Sequence, residues 1–295
     1  MPNYRLGRLP GQVPVGLRDL PYYAAGSLPK APASVAVPVL PTQPDGTPWG
    51  MDMNDTLGDC GVAGVNHGFM AAALCTGRQD AAIPTDQQVG DYYMQYTGGQ
   101  DSGVVLSQFL AYVRANGFLG HTVSAYAPVA VHDVPTLTFA IDAYDFAYVG
   151  ITVHEGMMAA AQAPGPWTWT PEDLSGGEVG GHCIILAGYD ANWLYGITWG
   201  NIVRIAYPAW HQMSDEAWAI ITGEVDSAKA DGHGINLAAL VADLSRLDGA
   251  AQQPAAAAPG HASLLDELAG AVRNVAASSK KDVTELLAFL ASHGL

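Results

Sequence analysis

Two side chains stand out by their surroundings as able to do covalent chemistry. Cys60 lies in N-D-T-L-G-D-C-G, residues 54–61, where a turn containing Gly58 gives way to the apolar run 60–76. A sulfur at the head of a helix sits in the positive end of the helix dipole, which favours thiolate over thiol. His182 lies in G-G-H-C-I-I-L-A-G-Y-D, at the start of an apolar strand and behind two glycines. Bare glycines before an imidazole let it face a cleft and let another backbone come close. A thiolate partnered by an imidazolium is the arrangement for nucleophilic attack on a carbonyl. The plainer reading is that Cys60 is a small buried residue capping a core helix.

The other candidates are weaker. His67 follows Cys60 by seven residues on the same helix, about two turns or ~10 Å away, too far to activate the sulfur. His132, His211 and His293 read as surface residues. Cys75 reads as inert, and Cys183 should point to the face of its strand opposite His182. A metal site built from Cys60, His182 and Cys183 would need consecutive strand residues to face one way, so no metal is expected. No cofactor is expected either, because G-G-Q-D-S-G lacks the residue order of a phosphate-binding loop. Glu172, Asp173 and Glu178 fall in the loop 163–181, which either walls a cleft or is simply solvated. Asp215 and Glu216 read as surface charges at a strand start.

The elements that must position the pair change character along the chain. The run 60–76 is apolar nearly all round, the pattern of a buried central helix. Further helices are expected over 86–96 and 104–116, the second stopped by Asn116 and Gly117. From there the period shortens: 146–153, 183–189, 193–199, 202–207 and 216–222 are short β-branched or aromatic runs broken by Gly, Asp and Asn. Helices first and strands afterwards predict an α+β fold, with an antiparallel sheet or barrel in the second half.

In this order the elements resemble the papain-like cysteine peptidases across about 49–222. The likeness rests on Cys60 at a helix head, the glycine pair Gly98–Gly99 before a helix, Gly181–His182 on a strand ending G-Y-D, and T-W-G at 198–200. The 122 residues from Cys60 to His182 are close to the spacing usual in that family. In cell-wall amidases of the NlpC/P60 and CHAP types, which also carry D-C-x-G near a helix start, the histidine comes much sooner. The resemblance implies that Cys60 is the nucleophile and His182 the base. It makes Asn54 an oxyanion donor in place of the family glutamine, runs Gly98, Gly99 and Gly181 alongside substrate, and makes Trp199 a shield for the histidine. The departures are the missing neighbouring cysteine and aromatic, and Ile197 where the family keeps the Asn that orients the imidazole. Thr198 is the first substitute; Asp190 and Asn201 are alternatives.

Composition sets outer limits. With 12 Lys and Arg against 28 Asp and Glu, a net charge of −16, the chain lacks the electrostatic footprint for nucleic acid or anionic lipid. No apolar run reaches the 18 or so residues of a membrane span, and the N-terminal residues lack the apolar stretch of a signal peptide. Three cysteines are too few and too odd in number for a disulfide framework. The organisation expected is a proline-rich arm (1–46), a main domain (47–226), a helical extension (227–249) with a helix at 235–247, a flexible linker (250–263) and a C-terminal helical hairpin (264–295).

Two functions follow. The first is a peptidase or amidohydrolase that cleaves a peptide or protein substrate through a Cys60 thioester, with a transferase using the same thioester as a variant. The rival is a non-catalytic or weakly active assembly protein, for example a phage particle component, that docks through its arm and C-terminal helices. The Ala-rich, Lys-poor composition suits an actinobacterial or phage origin, with a cytoplasmic or virion-associated location.

Overall fold

A computed structural model describes residues 4–40, 49–77, 83–223 and 233–252. The chain divides into two compact units, Met1–Leu247 and Asp248–Leu295. The expected hairpin 264–295 and most of the linker 250–263 lie outside the described residues.

After the N-terminal arm the first unit carries helices α1 (Cys60–Cys75), α2 (Asp86–Tyr96) and α3 (Leu106–Asn116), and continues into a seven-stranded sheet. The strands of that sheet are β3 (Val123–Pro128), β4 (Ala147–His154), β5 (Trp167–Trp169), β6 (Glu178–Tyr189), β7 (Trp193–Thr198), β8 (Asn201–Ala206) and β9 (Ser214–Thr222). Their spatial order is β3-β9-β4-β6-β7-β8-β5, antiparallel throughout except where β5 joins β8. Helices α4 (Val134–Tyr144), α5 (Glu155–Ala160) and α6 (Tyr207–Met213) are inserted between strands. They escape a reading by apolar period because α5 and α6 are under two turns long and α4 is buried on most sides.

Helix α1 is the hub. All residues from Cys60 to Ala73 are buried, and the helix meets β6, β4 and β7. It comes that close because of a stripe of glycines: a Cβ on Gly64 would stand 3.1 Å from the Cys183 sulfur and from the Tyr148 ring, and one on Gly68 would overlap the Phe146 ring. Larger residues there would hold the helix off the sheet and cost about 1–3 kcal/mol each in overpacking.

The arm departs most from expectation. Its proline-rich course is extended, but it is part of the body's own core: Tyr4, Leu17, Leu20 and Tyr23 are buried. Arg8–Leu9 form a strand, β1, parallel to β2 (Val104–Val105). Residues 104–105 are therefore strand rather than the first turn of a helix. A helix α7 (Leu237–Gln252) extends past the expected end at 247 and takes in residues 250–252 of the expected linker. Leu240 and Leu244 are buried, and the Asn236 amide donates to the Tyr23 carbonyl oxygen. Among the described residues no helix is long and apolar enough to cross a membrane.

Candidate active site

Cys60 is the first residue of α1, where the leading N–H groups have no acceptor within the helix. Its sulfur lies against the backbone amides of Cys183 and Gly7. Cys183 follows His182 on β6, so helix head and strand meet where the sequence places its two reactive groups.

His182 is fully buried. Its Nε2 is 2.6 Å from the Thr198 hydroxyl, and the Trp199 indole stacks on the imidazole at 4.3 Å between centroids. Trp199 and Gly200 both have positive φ (45° and 71°), the geometry of a two-residue hairpin turn that favours small residues. A tryptophan rarely adopts that backbone, and here stacking on two faces holds it, with His182 on one side and Tyr4 on the other at 4.6 Å. The two alternatives to Thr198 are engaged elsewhere. Asp190 accepts from the Tyr195 hydroxyl and from the amides of Asn192 and Trp193, and Asn201 donates to the Trp199 carbonyl oxygen.

The structure corrects several details. The imidazole Nδ1 is buried and has no hydrogen-bond partner, so no sulfur–imidazole hydrogen bond forms in this state. Nor is the expected thiolate–imidazolium pair present. Burial pushes the Cys60 thiol up to about 12. It also pushes the His182 imidazole down to about 3, with the Arg8 cation adding to the effect. The cause is the arm, which fills the cleft. The Gly7 carbonyl oxygen accepts from the Val104 amide, the Arg5 amide donates to the Asn54 carbonyl oxygen, and the Arg5 carbonyl oxygen accepts from the Trp199 indole. The group of the arm that meets the sulfur is the Gly7 backbone amide.

Asn54 is buried and its amide is turned inward, donating to the Leu57 carbonyl oxygen at 3.1 Å and to Asp59 at 3.0 Å. With both amide hydrogens so used, it has none left for an oxyanion in this state. Gly98 and Gly99 close the end of α2 with positive φ, and no atom of the arm lies within 4 Å of a Cβ on either. Gly103 also lies beside the arm, and its missing side chain leaves room for the Gly7 carbonyl. Gly181 does face the arm, since a Cβ there would overlap the Arg8 carbonyl oxygen. Asp215 is the exposed strand-start charge expected and Glu216 is more buried, with side chains 38% and 14% exposed, but both hold the Arg8 guanidinium. His67 is engaged with the Gly50 carbonyl oxygen and with Asp52. Among the described residues no group of three His, Cys, Asp or Glu is placed to hold a metal ion.

One neighbour went unnoticed in the sequence. Asp59, immediately before Cys60, is fully buried, and burial raises its carboxyl to about 8 against the opposing pull of the Asn54 amide. Its position in N-D-T-L-G-D-C-G was visible; its burial was not.

The buried neutral His182 makes stability pH-dependent. An unfolded imidazole protonates near 6.5, whereas the folded one resists down to about 3. As pH falls from about 6.5 toward 3, the unfolded chain takes up a proton that the folded chain does not. Stability is lost with a slope approaching 1.4 kcal/mol per pH unit, while above 6.5 this group contributes no slope. Between pH 7 and pH 5, denaturant unfolding of the natural protein should lose about 2 kcal/mol more than His182→Phe does. Equal losses in the two proteins would contradict a buried neutral imidazole.

The chain matches no protein-family model and no curated protein. Solved structures do match. Xylellain, a cysteine protease from Xylella fastidiosa, superposes with a TM-score of 0.53 at 13% identity, over 74% of this chain and 96% of that one. The fold is papain-like. The proform of the ragweed pollen cysteine protease Amb a 11 also matches, with a TM-score of 0.49 at 15% identity over 75% of this chain and 76% of that one.

Proposed function

We propose that this protein is a cysteine peptidase, held latent by its own N-terminal segment, that cleaves a peptide or amide bond through a Cys60 thioester. One observation carries the reading. His182 is anchored on one nitrogen by Thr198 and stacked by Trp199, while its other nitrogen is left buried and unpartnered one residue from the amide that touches the Cys60 sulfur. Buried polar atoms without partners are rare in folded proteins and call for an explanation. A base waiting for the thiol proton supplies one.

With the arm displaced, water reaches both groups and the proton can pass from sulfur to imidazole. The thiolate adds to the substrate carbonyl carbon. The oxyanion is met by the Cys60 N–H at the helix head, and by the Asn54 amide once it turns outward. His182 then gives its proton to the leaving amine as the C–N bond breaks, and water releases the acyl group from sulfur. The test is to open the cleft with Gly7→Val and incubate the protein with a defined peptide mixture. Cleavage that disappears in Gly7→Val/Cys60→Ala supports the reading; no cleavage by the opened protein contradicts it.

The filled cleft and Ile197 at the family's Asn position favour the rival, a papain-like body used for assembly, for example in a phage particle. There the arm is a permanent part of the core, and opening the cleft yields no hydrolysis.

A further inference from the structure

The Arg8 side chain crosses the cleft and enters a slot between β4, β6 and β9. It is 8% exposed and forms ion pairs with Asp215 and, at 3.4 Å, with Glu216. The Ile151 carbonyl oxygen accepts from the same guanidinium at 3.4 Å, and Thr152 donates its hydroxyl to Asp215 at 3.3 Å. The slot is shaped for a long, thin stem. A Cβ on Gly150 would stand 2.8 Å from Arg8 Cδ, and one on Gly181 would stand 3.2 Å from Arg8 Nε. Any other residue at either position narrows the slot. Arg8 Nε remains buried and unpartnered, so the fit to this occupant is incomplete.

The slot adjoins the reactive groups: Gly181 precedes His182, and the neighbouring Gly7 amide touches the Cys60 sulfur. Among the described residues Arg8 is the cation paired with both carboxylates, and Glu216, 14% exposed, is costly to leave unpaired, so an arm that withdraws leaves a site that favours a replacement cation. A guanidinium meets paired carboxylates with directed N–H groups, and an ammonium meets them as a compact charge.

We propose that the slot formed by Gly150, Thr152, Gly181, Asp215 and Glu216 selects substrates by an arginine or lysine side chain, with Arg8 of the arm standing in its place while the protein is latent. This deepens the peptidase reading and rests on it for the word substrate. The binding preference itself is separable.

The experiment uses the full chain carrying Gly7→Val to open the cleft and Cys60→Ala to prevent turnover. Calorimetry compares acetyl-Ala-Arg-Ala-amide with the same peptide bearing citrulline, which has nearly the shape of arginine without its charge. The arginine peptide should bind at least about 10-fold more tightly at low salt, and the preference should vanish in Asp215→Asn/Glu216→Gln. Equal affinity for the two peptides, or a preference that survives neutralising both carboxylates, overturns the proposal. Because the citrulline comparison needs no change in the slot, a misfolded double variant leaves the question answerable. Should Gly7→Val fail to free the cleft, Arg8→Glu replaces it, and an arm that stays seated with a carboxylate in the slot is also contrary to the proposal. If the arginine preference is found and the opened protein never cleaves a peptide, the peptidase reading falls and the cation site stands.

Discussion

Replacing Gly7 with valine is expected to raise the rate at which iodoacetamide modifies Cys60 at pH 7 by at least about 10²-fold. The arm passes so close to the turn before α1 that a Cβ on Gly7 would overlap the Gly58 carbonyl oxygen. That oxygen belongs to backbone anchored by the hydrogen bond from the Gly58 amide to Asp101, so it cannot give way cheaply and the arm must leave. While the arm is seated, burial holds the thiol up at about 12, so very little of it is thiolate at neutral pH. An ordinary cysteine is a few per cent ionised there. The exposed Cys75 is the internal reference and should react alike in both proteins. An unchanged ratio of Cys60 to Cys75 modification in Gly7→Val would mean that the arm does not control the sulfur.

In the opened protein, Thr198→Val should lower peptide turnover by about 10–10²-fold, and Thr198→Asn should recover most of it. Valine keeps the shape of threonine but cannot accept the Nε2–H, so it releases the tautomer and ring orientation that the 2.6 Å contact fixes. An asparagine carbonyl can take the same hydrogen. Thr198 is thus a positioning residue acting through His182. A purely structural role would leave the pH dependence of turnover where it is, whereas a positioning role shifts its acid limb. Equal losses in the valine and asparagine variants, with no shift in that limb, would place the importance of Thr198 in packing.

The residues that carry local signals were legible in the sequence. Cys60 announced itself by the change from turn to apolar helix, and His182 by the glycines before an apolar strand; the structure brings both to one place. Thr198 was reachable through the resemblance, as the residue beside Ile197 whose hydroxyl can accept from the imidazole, with Asp190 and Asn201 as alternatives. What escaped depends on pairings between residues far apart in the chain. Arg8–Leu9 make a two-residue strand, too short to show a period, and its partner Val104–Val105 lies about a hundred residues on. Without that pairing nothing marked Gly103 as a glycine packed against the arm. Nor did anything show that Asp215 and Glu216 face an arginine from the other end of the unit. The same arm decides the charge state of the site. A helix dipole favours thiolate by a modest amount, whereas full burial without a counter-charge opposes it more strongly.

The pH profile of Cys60 alkylation in Gly7→Val, measured with and without His182→Ala, bears most directly on whether the sulfur and the imidazole form a working pair. With His182 present, the rate should already stand on a plateau at mildly acidic pH, the sign of a thiolate held by an imidazolium. With alanine there, it should rise only as pH approaches the ordinary thiol value near 8.5. Two superimposable curves, both rising only in alkali, would contradict the pair and leave a papain-like body without the chemistry assigned to it.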